Sequence, residues 1–104
     1  MTLENLYAIL KATGYPVAYS HFEKETSLPF ITYLVDGSNN FFADNEVYKK
    51  IENIRIELYT SKKDLEAEKK LEDLLNENEL PYECSEQWIE SEKVFQRIYE
   101  VEMI

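Results

Sequence analysis

One thiol and one imidazole are present in the chain, Cys84 and His21. Held together they would make a nucleophile and its base, a thiolate stabilised by an imidazolium. The local sequence favours blander roles. Cys84 lies among Glu83 and Glu86 in a strand-like segment, and His21 closes another strand-like run. A single Cys forms no intramolecular disulfide, and one Cys with one His falls short of the usual zinc set. Carboxylates are plentiful, so pairs arise by chance. Asp64 with Glu68, and Glu68 with Glu72, sit four apart, as helical neighbours do. A divalent cation would need further oxygen ligands converging on it. Lys69 and Lys70 stand among these acids, so the stretch reads as a solvated, partly ion-paired helix face. The only glycines are Gly14 and Gly37, too few for a phosphate-cradling loop. No residue pattern points to catalysis, a cofactor or a metal, and the expectation is a protein that is not an enzyme.

The aromatic residues say more. There are eight Tyr, five Phe and one Trp, and Tyr suits surfaces that are both apolar and hydrogen-bonding. Phe41 and Phe42 follow a polar Asn39-Asn40 pair. Adjacent strand residues point to opposite faces, so one protein core does not bury both. Core packing accounts for most of the aromatics, and one of the Phe pair either packs under the preceding turn or meets another subunit. On the second alternative Asn39, Asn40, Phe41, Phe42 and Tyr48 are the candidate contacts to another subunit or partner.

The elements that must position these residues follow from spacing. Thr2 is a helix cap, and Leu3, Leu6, Tyr7 and Leu10 recur at helical intervals, which predicts a helix from Leu3 to Ala12 stopped by Gly14 and Pro16. Val17 to Phe22 reads as a short strand and Glu23 to Leu28 as a loop. Pro29 opens a strand, PFITYLVDG, apolar on both faces and so expected inside a sheet. Residues Asp36 to Asn40 carry the strongest turn signal, with a further bend at Asp44-Asn45. Glu46 to Thr60 is a long strand. Ile54, Ile56 and Leu58 share one face, whereas Val47 and Ile51 fall out of phase, so a bulge or kink belongs near Glu52-Asn53. Ser61 or Thr60 caps a helix from Lys63 to Asn76, with Ala67, Leu71, Leu74 and Leu75 on one side. Tyr82 to Glu90 and Val94 to Ile104 are two strands joined near Ser91-Glu92. Helices and strands do not alternate one by one, so the expected class is α+β: a mostly antiparallel or mixed sheet of four to five strands with two helices packed on one face.

The chain has 104 residues, which fits a single domain spanning 1–104. It holds 21 acidic against 11 basic residues, a net charge of −10. Such a surface repels phosphate backbones and anionic membranes, which argues against specific nucleic-acid binding and membrane adsorption. From Ser61 on there are 13 acids against 6 bases, and before it 8 against 5, so the excess is skewed to the second half. The N-terminal stretch lacks a signal peptide's charge and apolar run, and no apolar stretch is long enough to span a membrane. The expected setting is a reducing cytoplasm.

The segments YPVAYSHF, LPFITYLVDGSNNFFADNEVY, IRIELYTSKKDLEAEKKLEDLL and YEVEMI resemble the small tail-completion proteins of phages and prophages of Gram-positive bacteria. That family comprises the tail terminator and head–tail joining proteins of long-tailed phages. The resemblance runs from Leu6 to Ile104, and its most specific part is the Pro-Phe-Ile-x-Tyr strand with the Asn-rich, Phe-bearing segment after it. It implies an α+β subunit and a ring, typically hexameric, at the head-proximal end of the tail. The ring would stop tube growth and receive the head connector. The implied partners are other copies of the chain, the tail tube protein and the head connector protein. The implied locations are the host cytoplasm during assembly and then the virion. DNA would pass through such a ring, and an acidic lining would keep it from sticking. The charge also fits a second expectation, a small acidic DNA mimic that inhibits a host nucleic-acid-binding protein, although the Lys residues interleaved on the second helix break up any phosphate-like series.

Overall fold

In the computed structural model the backbone is described for residues 1–43 and 46–103, and side chains for 1–38 and 51–103. The order is α1 (Leu3–Lys11), β1 (Val17–Tyr19), β2 (Phe30–Ala43), β3 (Glu46–Thr60), α2 (Leu65–Glu77), β4 (Tyr82–Ile89) and β5 (Val94–Met103). The strands form one mixed sheet in the order β1-β2-β3-β5-β4. β1 runs parallel to β2, and the other neighbours are antiparallel. The fold is α+β, with two helices on the sheet, as the spacing predicts.

The core follows from alternation along the strands. Ile31 and Tyr33 on β2 face Leu58 and Ile56 on β3, and Ile56 and Ile54 face Tyr99 and Val101 on β5. These residues form one buried cluster with Leu6 and Leu10 of α1 and Ala67, Leu71 and Leu75 of α2. The helical spacing of the sequence marks these same positions, so amphipathicity alone decides which helix faces are buried.

Element ends depart from the spacing where local hydrogen bonds intervene. Thr2 caps α1 through a reciprocal pair of bonds with Asn5. The second helix starts at Leu65 rather than Lys63, because the Asp64 carboxylate accepts the Ala67 N–H at 3.0 Å. Thr60 and Ser61 are not its cap; the Thr60 hydroxyl donates to the Lys62 carbonyl instead. β1 stops at Tyr19, because Ser20 turns into the left-handed region at φ 68° and leads the chain away before Phe22.

The largest departure concerns residues 36–40, which form no turn. β2 runs through them as continuous strand. Val35 faces Ile54 and Ser38 faces Glu52, so Asp36 and Gly37 together oppose Asn53. This is a bulge, and Gly37 at φ 117° supplies the conformation that other residues resist. The bulge or kink expected in the following strand at Glu52-Asn53 is not found there: β3 pairs with β5 in unbroken register from Glu52 to Thr60, and the extra residue sits on the facing strand β2. The bend expected at Asp44-Asn45 lies outside the described residues.

The bulge has an architectural effect. Among the described residues the last β3–β5 pair is Glu52 with Met103, whereas β2 and β3 continue to pair as far as Ala43 with Glu46. Beyond the five-stranded sheet they form a two-stranded ribbon, about 20 Å long at about 3.3 Å per residue. The chain measures 49 × 29 × 24 Å and has a radius of gyration of 14.8 Å, larger than the roughly 13 Å of a compact domain this size.

Candidate assembly interface

The ribbon holds all five candidate contact residues. Asn39, Asn40, Phe41 and Phe42 lie in the outer half of β2, facing Ile51, Lys50, Lys49 and Val47. Tyr48 falls between Lys49 and Val47, where a second register shift leaves it without a direct cross-strand partner in the ladder. The side chains of these five lie outside the described residues. Two-stranded ribbons are marginally stable alone, so a segment of this kind gains from contact with something else. Residues 38–51 hold two acids and two bases, and the whole net charge of the protein lies elsewhere.

Both margins of the sheet are open. β1 covers only residues 31–33 of β2. The Tyr19 hydroxyl then accepts the Val35 N–H at 3.1 Å, and among the described residues no strand pairs with β2's outer edge beyond it. On the far side β4 is the terminal strand, and its residues 83–88 are all exposed. Exposed aromatic groups flank each margin. Tyr7 and Tyr19 pack on Tyr33 beside β1, and Trp88, 47 % exposed, marks β4. Open edges are normally blunted by charge, and β4 carries Glu83 and Glu86.

The remaining sequence candidates are dispersed. His21 follows β1 and pairs with Glu23 at 3.3 Å, while Cys84 is on β4. They sit at opposite margins of the sheet, so no thiol–imidazole pair is formed. Among the described residues no group of three or more His, Cys, Asp or Glu is placed to hold a metal ion. Nor is any described helix long and apolar enough to cross a membrane.

The acids of α2 correct the expectation of a solvated face. Lys69 with Asp73 and Lys70 with Glu66 are indeed surface pairs. Glu68 is only 7 % exposed, and with Glu72 it turns inward to Arg97 of β5. The Arg97 Nε lies 3.5 Å from Glu68 and 3.3 Å from Glu72 and donates to the Tyr99 hydroxyl at 2.9 Å. Its Nη1 pairs with Glu86 of β4, and its Nη2 meets the Cys84 Sγ at 3.2 Å. Lys63 adds bonds of 2.9 Å to both Glu68 and Glu86. These bonds raise the Lys63 ammonium and lower the Glu86 carboxyl from their ordinary values. The knot fastens α2 to the β4 margin. Its sequence signal was the placement of Glu68 and Glu72 beside Leu71 and Leu75 on one helix side. The cation that answers them comes 25 residues later than Glu72, beyond the reach of periodicity.

Among the described residues Tyr99 is the largest fully buried side chain, and it donates to Glu72 at 2.6 Å. Burial first, and that carboxylate second, push its phenol well above the ordinary 10.0. Burial also raises Tyr33, Tyr59 and Tyr82. A raised folded-state pKa contributes stability that is complete below the unfolded value and is lost as pH rises above it. Unfolding free energy is therefore expected to fall steeply above pH 10. Tyr99→Phe should lessen that alkaline slope while lowering stability at neutral pH by about 1–3 kcal/mol, since Glu72 and Arg97 lose a buried partner. Denaturant titrations at successive pH values check both; an unchanged slope in the variant would contradict them.

A groove of about 630 Å³ opens at the root of the ribbon, lined among others by Asp36, Asn53, Glu83, Glu100 and Glu102. Glu83 and Glu100 are direct cross-strand partners, a like-charge pairing that is unfavourable alone. No family model matches the chain, and no curated protein matches it.

Proposed function

We propose that the chain is a structural subunit of a phage or prophage tail, assembling into a ring at the head-proximal end. There it ends the tube and joins it to the head connector. The observation that carries this reading is the neutral ribbon with its Phe41-Phe42 pair and Tyr48, projecting from an acidic body whose sheet is open at both margins. A ring contact is head to tail and needs two different patches on each copy. The ribbon with the β2 margin is one, and the β4 margin is the other. The role requires no catalysis, cofactor or metal. Exposed acids of the second half, Glu83, Glu100 and Glu102, would face the channel and repel passing DNA.

The test is mass by light scattering over a wide concentration range, with and without purified tail tubes. Ring-sized particles, or capture onto tube ends, are expected. Copies carrying −10 each repel one another, so assembly should strengthen as salt rises and screens that repulsion. A monomer at every concentration that ignores tube ends would overturn the reading. The same uncompensated acids favour a second role, a DNA mimic that blocks a host nucleic-acid-binding protein. Such a monomer would bind a nuclease tightly and release it as salt rises.

A further inference from the structure

We infer that the contact between copies is made by strand addition: β4 of one copy pairs antiparallel with the outer edge of β2 in the next, from the bulge toward the tip. This rests on the ring reading and names the surfaces that meet.

Three observations carry it. The first is length. β4 offers eight residues, Tyr82–Ile89. The outer edge of β2 is free from residue 36 to Ala43, also eight, since β1 ends against Tyr33 and the Tyr19 hydroxyl takes the Val35 N–H. The two edges lie on opposite margins of one sheet, and among the described residues no strand pairs with β4's outer edge or with this stretch of β2's. The second is direction. β2 and β5 run one way, and β3 and β4 the other. When neighbouring copies are related by rotation about an axis along the strands, β4 meets β2 running oppositely. That is the antiparallel pairing, slightly the more stable of the two. The third is charge. Glu83 on β4 faces Glu100, and among the described residues neither has an ion-pair partner. The incoming ribbon has no net charge and carries Lys49 and Lys50, at the register positions of Phe41 and Asn40. A two-fold β4-to-β4 pairing would instead bring four glutamates into one short ladder.

The native Cys84 is an exposed probe on β4. Ser38 faces Glu52, which faces Met103, so Ser38 lies on the same sheet face as Tyr99 and Cys84. Single cysteines at successive exposed or outer positions, Asp36→Cys, Ser38→Cys and Asn40→Cys, are oxidised mildly at a protein concentration that gives rings, and read on a non-reducing gel. At least one variant is expected to give a ladder of cross-linked multimers that disappears when Cys84→Ser is added, while the unaltered chain stays uncross-linked. Dimers of the unaltered chain through Cys84 would overturn the inference in favour of β4-to-β4 pairing. Rings seen by light scattering with no mixed cross-link in any variant would overturn it and leave the ring reading standing. Absence of any self-association, with and without tail tubes, would overturn both.

Discussion

Arg97→Met is expected to cost about 3 kcal/mol or more of folding stability. The guanidinium reaches Glu68, Glu72 and Glu86, the Tyr99 hydroxyl and the Cys84 sulfur from one β5 position. Methionine keeps the length and apolar stem but removes the charge and every donor. Removing one partner of a buried ion pair typically costs about 3–5 kcal/mol, because the remaining charge stays buried and unanswered. The lower part of that range applies here, since Lys63 still holds Glu68 and Glu86 and the Tyr99 and Tyr82 hydroxyls still donate to Glu72. In a domain of this size such a loss lowers the melting temperature by roughly 12–24 °C. Arg97→Lys restores charge without the planar fork and should recover only part. Adding Glu72→Gln to Arg97→Met should recover another part by removing a stranded charge. Acid narrows the gap. Glu86 lies below its ordinary 4.5, held there first by its bond from Lys63 and also by Arg97. The stability it contributes is present above that value and is lost as pH falls through the lowered one. Equal denaturation midpoints for variant and parent at neutral pH would contradict the account.

How much of this was legible in the sequence depends on the range of each cause. Leu6, Leu10, Leu71 and Leu75 announce their faces within a few turns, because helix burial is a matter of local period. The alternation Ile54, Ile56, Leu58 fixes its strand in the same way. Gly37 with two following Asn residues gives equal support to a turn and to a bulge, since both need positive φ at one position. What separates them is whether the facing strand continues, and that is decided by residues 46–52, well after the signal. The Arg97 knot fails to appear for the same reason. Glu68 and Glu72 look like surface acids until β5 returns beside α2. The ribbon is encoded only in relative strand lengths, 14 and 15 residues for β2 and β3 against 10 for β5. Sequence spacing marks Phe41 and Phe42 as hard to bury together, and the backbone places them on the one segment that leaves the sheet.

The sheet face away from the core depends on Glu57 in the way the helix-covered face depends on Arg97. Glu57 is 7 % exposed, and four groups converge on its carboxylate. Thr32 donates at 3.1 Å and Gln96 at 2.6 Å. The Tyr59 hydroxyl and the Arg55 Nε donate at 3.3 Å. They come from β2, β3 and β5, so the acid ties three central strands together. Gln96, only 4 % exposed, extends the network to Gln87 on β4 at 2.7 Å. Glu57→Ala removes the shared acceptor and strands the nearly buried Thr32 hydroxyl, while the Gln96 amide keeps one acceptor, the Tyr59 hydroxyl at 2.9 Å. A stranded buried group costs about 1–3 kcal/mol, so a loss of about 2 kcal/mol is expected. Glu57→Gln keeps the shape but turns one acceptor atom into a donor facing donors, and should cost about half as much. Thr32→Val in the Glu57→Ala background should cost less than it does in the parent, since the hydroxyl it removes has already lost its partner. Equilibrium unfolding of the four chains measures the coupling. If the effects of Thr32→Val and Glu57→Ala simply add, the acid does not hold the strands through this bond.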